Sequence, residues 1–335
     1  MNKLRVFQNV YQRGTVQEFL RKNFCTVLLL LFLLPYLISL LCGNVGTLGK
    51  KEEHVMKNQI LRSEAVVKNK TGFGCEEIPL ELYVADKLSR CMNSSYEKEA
   101  LKAQAVLIRT NLLYQKAEEV IIHDEDYGTK NIPELCFLAT AETRGMILEY
   151  EDAPIYGAYF KSSSGCTRNA AESSLQEQYP YLKGVPCSKD YLAPGNCSEV
   201  IYTKEAFGQL WQGLRETSAK QAEELSQERS GVAENTSGQI SEQLCYVRDS
   251  AGYVIYLLYD GKWVSGEEVR YCYGLSSADF YIKEDGNDFV FEVCGEGHGL
   301  GMSQFAANEM AKEGKDFLNI LNYFFEDVTL VKVEG

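Results

Sequence analysis

An uncharged, largely apolar run, Phe24 to Leu41, constrains this chain more than any other feature, because it decides on which side of a membrane the rest must fold. Its 18 residues carry no charge, and at about 1.5 Å rise per residue they nearly cross a hydrocarbon core of about 30 Å. The run therefore reads as one transmembrane helix over 24–41. Residues 1–23 hold Lys3, Arg5, Arg13, Arg21 and Lys22 against Glu18 alone. That bias keeps the N-terminus cytoplasmic and sends the bulk of the chain outside, as a single-pass protein of the cell membrane. A cleaved signal peptide would show a shorter basic segment and an A-x-A-like site, and an acylated Cys42 would follow a small residue rather than Leu41. The run is longer and more uniformly apolar than most buried core helices.

The chain's net charge is −13 and its leader contributes +4, so −17 falls on the exterior. Such a surface does not bind nucleic acid, which requires clustered Lys and Arg to displace counterions, and it repels anionic wall polymers. A neutral or mixed-charge polysaccharide gripped by hydrogen bonds and aromatic faces is compatible with the 21 Tyr and 15 Phe. Nine of the 11 cysteines, from Cys75 to Cys294, lie well beyond the run, where oxidation is possible. An odd count leaves at least one unpaired. Cys187 and Cys197 bracket a loop with a Pro194-Gly195 turn and are the expected local disulfide; other connectivity is open.

Past the run, 42–71 reads as a polar stalk and 72–335 as the folded domain, with a polar insertion over about 206–244 too poor in apolar residues to build a core. Leu101, Ala105, Ile108 and Leu112 recur at helical spacing after a candidate cap at Ser94 or Ser95. Ser250-Ala-Gly and Asp260-Gly mark hairpin turns. The stretch from Ser303 to Phe325 is helical, with Gly314 as a C-cap. Helices mixed with antiparallel hairpins, without βαβ periodicity, give an α+β fold.

Three ordered segments carry more specific information: Leu80 to Thr110, with LELYVA and EALKAQAV; Tyr159 to Glu172, YFKSSSGCTRNAAE, followed by Tyr179-Pro-Tyr-Leu; and Val264 to Gly314, with GEGHGLGMSQ. Together they resemble the extracytoplasmic domain of the stage II sporulation protein D and amidase-enhancer family. The resemblance implies an α+β domain whose segments line a cleft for peptidoglycan glycan strands, and a partner among cell-wall amidases or sporulation engulfment proteins. It also implies a lytic transglycosylase. There one glutamate protonates the leaving glycosidic oxygen, then accepts the proton of the muramic C6 hydroxyl as an anhydro ring closes.

The residue at that glutamate's position here is Cys91, in a register fixed by LELYVA and EALKAQAV. A thiol is a poor acid for an ether oxygen, so the expected protein binds glycan strands without cutting them. The alternative is an active transglycosylase with a relocated carboxyl, Glu97 and Glu99 being the nearby acids and Glu99 the candidate. The family's His before the serine loop is Lys161 here, and its second Gly is Cys166. Ser162, Ser163, Ser164 and Gly165, with His298, Ser303 and Gln304, are the expected sugar contacts: hydroxyls, an imidazole and an amide that donate and accept, beside a glycine that admits close approach. No cofactor is required. Cys91, Cys166, Cys294 and His298 fall in segments that the family folds around one cleft, and could supply either a tetrahedral zinc site or a disulfide.

Overall fold

The computed structural model describes residues 65–71, 74–114, 121–122, 124, 127–128, 131–172, 179–216 and 244–333, all within the compact unit Gln59–Gly335. The run over 24–41 read as a transmembrane helix, its basic leader, the stalk as far as residue 64 and most of the polar insertion lie outside the described residues. Among the described residues no helix is long and apolar enough to cross a membrane.

The described fold starts before the expected end of the stalk. Strand β1 (Val66–Thr71) pairs antiparallel with β2 (Gly74–Pro79), and β3 (Ile121–Ile122) joins β1 in parallel. Val67 and Ile78 face each other in that ladder and are both buried, so this part of the stretch read as stalk is a strand held by its apolar pairs.

Helix α1 (Leu80–Cys91) leads to α2 (Lys98–Tyr114), the axis of the main core. Ala100, Leu101, Ala103, Ala105, Val106 and Leu107 of α2 are fully buried; the small residues let neighbours approach on nearly every side. The helix begins at Glu97, whose carbonyl accepts from Ala100 and Leu101. The expected cap residue Ser95 instead donates to Asn93 in the preceding turn. Arg109 is wholly buried and makes two bonds to Glu81, of 2.9 and 2.5 Å, and a third to the Met146 carbonyl.

Around α2 pack α3 (Glu134–Glu142) and a sheet of β4 (Met146–Tyr150), β5 (Ala153–Pro154) and β14 (Thr329–Lys332), ordered β14-β4-β5. The expected single C-terminal helix is two, α6 (Gln304–Lys312) and α7 (Phe317–Phe324). Gly314, at φ 86°, ends the first, and Asp316 caps the second through Asn319.

A second core is built from aromatic rings. Strands β7 (Cys197–Thr203), β12 (Asp288–Cys294) and β11 (Phe280–Asp285) form one antiparallel sheet, and β8 (Cys245–Arg248), β9 (Val254–Tyr259) and β10 (Lys262–Ser265) another. Asp260 and Gly261, both at positive φ, make the expected turn between β9 and β10. Between the sheets and helices α4 (Lys204–Gly213) and α5 (Gly266–Cys272), Phe207 lies 4.4 Å from Phe289 and 5.1 Å from Tyr273, centroid to centroid. The α+β expectation holds, with antiparallel sheets predominating.

The disulfide differs from the expected one. Cys197 opens β7 and Cys294 closes β12, the antiparallel register sets them opposite each other with Cα atoms 4.3 Å apart, and they are bonded. Cys187 is free and buried. The Pro194-Gly195 turn forms, with Asn196 donating to Ala193, but it delivers Cys197 to a strand rather than back to Cys187. The bond spans 97 residues, so constraint of the unfolded chain is worth up to about 4–5 kcal/mol in the loop-entropy account. Reduction of the folded protein should lower its melting temperature by about 10 °C, read by calorimetry with and without reductant; an unchanged melt would contradict it.

Candidate functional site

The second and third sequence segments meet at the boundary between the two cores. Strand β6 (Tyr159–Phe160) runs parallel to β13 (Met302–Ser303), Ser162 bridges Glu296, and Arg168 bridges Leu300. The serine loop and the glycine-rich turn are therefore laced together over their length. Gly295, Gly297, Gly299 and Gly301 all adopt positive φ, which bends the chain tightly around His298.

The serines lie mostly inside the protein. Ser163 is fully buried and its amide and hydroxyl both donate to one oxygen of Asp190, at 2.6 Å. Ser303, equally buried, donates to the other oxygen at 3.0 Å and caps α6 through Ala306. Ser162 donates to Asn196 at 2.5 Å. Ser164 stands against Asp279 and Tyr253. As placed, these hydroxyls shape the turn. Gly165 is met by Tyr191: a Cβ there would stand 2.8 Å from its ring, and the residue sits at φ 113°. Tyr191 itself is 59 % exposed, so the surface over the serine loop is an aromatic face.

Asp190 is the residue that sequence reasoning missed. It is carried on a 3-10 turn, Ser188–Leu192, and ties the serine loop to the start of α6. Burial pushes its carboxyl above the usual carboxylate range, partly offset by the Ser163 and Ser303 bonds. The available signal was weak: one acid in a loop flanked by two cysteines.

Cys91 ends α1 and is partly buried against the main core. Burial pushes its thiol up to about 11, offset in part by a hydrogen bond with the Tyr159 hydroxyl. The Gln304 amide donates to the Cys91 carbonyl at 2.9 Å and to Gln104 of α2 at 3.1 Å, joining the third segment to the first. Cys91 is therefore a neutral thiol at neutral pH. Iodoacetamide should label it about a hundredfold more slowly at pH 8 than a free thiol of pKa about 8.5, with the rate rising tenfold per pH unit toward 11. Peptide mass spectrometry reads this, and labelling as fast as the free thiol would contradict it.

Glu99 stands elsewhere in role. One carboxylate oxygen accepts from Lys102 and the other from the Phe317 amide at the start of α7. It holds two helices together.

His298 is half-buried, and its Nδ1 accepts from the Leu300 amide at 3.1 Å. Burial lowers its pKa, with Glu267 opposing and Arg270 reinforcing the shift, so the ring is neutral at pH 7. Beneath the turn, Arg168 makes a 2.6 Å bond to buried Asp249, another to Glu267 and a third to the His298 carbonyl. Lys161, replacing the expected His, is exposed and paired with Glu296. The four candidate metal ligands are not available as a set, since Cys294 is bonded to Cys197. Among the described residues no group of three or more His, Cys, Asp and Glu side chains is arranged to hold a metal ion.

Residues 69–150, which contain α1, Cys91 and α2, match the family described as SpoIID: Stage II sporulation protein. The chain is 29 % identical over 285 residues to stage II sporulation protein D of Bacillus subtilis (strain 168), covering 78 % of this chain and 76 % of that one. It shows the same identity, over 284 residues and with the same coverage, to stage II sporulation protein D of Bacillus amyloliquefaciens. It is 24 % identical over 274 residues to the amidase enhancer of Bacillus subtilis (strain 168), across 71 % of this chain and 39 % of the other. The chain thus carries a stage II sporulation protein family match over the Cys91 helix pair and, across 78 % of its length, is similar to stage II sporulation protein D.

Proposed function

We propose that this protein binds peptidoglycan glycan strands on the outer side of the cell membrane during sporulation and does not cleave them. The observation that carries this reading is Cys91: at the position where the family resemblance puts the catalytic glutamate stands a thiol whose burial keeps it protonated. Two acids of the site are already engaged. Glu99 has both oxygens engaged, and Asp190 is fully buried under Ser163 and Ser303.

Binding falls to the surface that remains open, where Tyr191, the neutral His298 ring and the Lys161–Glu296 pair surround the laced segments. The acetamido and hydroxyl groups of the sugars suit such a mixture of aromatic faces and hydrogen-bond donors and acceptors. The apolar run over 24–41 anchors the domain beside the wall, and an amidase or engulfment complex is the expected partner. Co-sedimentation of detergent-solubilised full-length protein with amidase-stripped glycan strands tests the binding half. Retention by the strands, weakened about tenfold or more by a paired Tyr191→Ala and His298→Ala change, is the expected result; no retention of the unaltered protein would sink it.

A further inference from the structure

Beside the Cys91 position the structure holds a row of tyrosine rings that the reading above does not use. Tyr114, at the end of α2, lies 5.9 Å from Tyr156, and Tyr156 lies 5.3 Å from Tyr179, centroid to centroid. Tyr179 continues to Tyr181 at 6.1 Å and Tyr181 to Tyr150 at 5.5 Å. Tyr181 is buried, and its hydroxyl accepts from the Tyr156 amide at 2.8 Å; it fixes the row from below. Tyr114, Tyr156 and Tyr179 are only half-buried. Asn111 holds the Gly157 backbone by two bonds, of 2.9 and 2.8 Å, which locks the Tyr156 segment onto α2. The platform is therefore ordered before any ligand arrives, and binding to it forfeits little side-chain entropy.

The row begins where the Cys91 site ends. Tyr159, which bonds the Cys91 thiol, follows Tyr156 by three residues and lies within electrostatic reach of its ring. Gln104, bonded through Gln304 to the Cys91 residue, and Tyr114 are ten residues apart on one helix, or about 15 Å. That is a length suited to a few consecutive sugar rings.

We propose that Tyr114, Tyr156 and Tyr179 form a stacking subsite for neutral N-acetylated hexosamine units, extending the glycan track away from Cys91 along α2. The inference rests on the glycan-binding reading. An aromatic platform of this kind takes the apolar faces of sugar rings, and its extent makes affinity grow with strand length.

The test is titration of full-length protein in detergent with β-1,4-linked N-acetylglucosamine oligomers from two to six units. Affinity should rise with length in the unaltered protein. Tyr114→Ala with Tyr179→Ala should weaken the longest oligomer by about tenfold per ring and leave the dimer unchanged, while the paired Phe variants retain the rise. On the unaltered protein, bound hexamer should protect Tyr114 and Tyr179 from nitration by tetranitromethane, read by peptide mass spectrometry, which keeps the test independent of variant folding. Length-dependent binding that survives the Ala pair, or nitration unaffected by hexamer, would overturn the subsite and leave the broader reading standing. Failure of the unaltered protein to bind any oligomer or glycan strand would overturn both.

Discussion

Replacing Cys91 by glutamate is expected to give the protein glycan-cleaving activity. The new carboxyl would stand at the end of α1 beside the Tyr159 hydroxyl, in surroundings whose burial already drives a thiol up to about 11. Burial disfavours an ionised carboxylate just as it disfavours a thiolate, so the glutamate pKa should rise toward the range a general acid needs. The longer side chain must be fitted beside Gln304 and the main core, at a cost of about 1–3 kcal/mol in stability. General acid–base participation contributes roughly a hundred- to ten-thousandfold in rate. Anhydro-ended fragments from amidase-stripped strands should therefore exceed those of the unaltered protein at least about a hundredfold. A folded, strand-binding Cys91→Glu protein that releases none would show that the chemistry was lost elsewhere.

Gly301→Ala should be the most damaging single change in the glycine-rich turn. A Cβ on Gly301 would lie 2.2 Å from the Ala158 carbonyl oxygen and 2.8 Å from its carbon, with the residue at φ 75°. That same carbonyl accepts from the Met302 amide at 3.0 Å, beside the β6–β13 ladder. Neither atom in the clash belongs to a flexible side chain, so relief requires the two strands to part. The backbone conformation alone costs about 1–3 kcal/mol for a non-glycine residue, and the lost pairing adds to it. A loss above about 3 kcal/mol in denaturant unfolding is expected, with the serine loop released from the His298 turn. A variant within about 1 kcal/mol of the unaltered protein would contradict the described packing.

The resemblance implied that the serine loop and the glycine-rich turn would line one cleft, apolar periodicity placed α2, and the Ser250-Ala-Gly and Asp260-Gly signals marked hairpin turns, while α1 was not read as a helix. What the residues could not show was which groups face inward. Ser163 and Ser303 are small hydroxyls in a motif, equally suited to a sugar or to a buried carboxylate; the choice was made by Asp190, far from both in sequence and without a motif of its own. The disulfide is the same kind of case. Cys187 and Cys197 are near in the chain, but the ladder between β7 and β12 sets Cys197 against Cys294. Long-range register, unlike local turn chemistry, leaves little trace in either segment alone. Glu99 illustrates the converse: its position in the first turn of α2 was legible, while its bond to the Phe317 amide depends on α7 packing more than two hundred residues later.

The central claim, that this domain holds glycan strands without cutting them, is tested most directly by incubating the unaltered full-length protein with amidase-stripped glycan strands and weighing the products by mass spectrometry. Strands retained at their original length, with no anhydro-muramyl ends, are the predicted result. Anhydro-muramyl products that persist in a Cys91→Ala protein would contradict it.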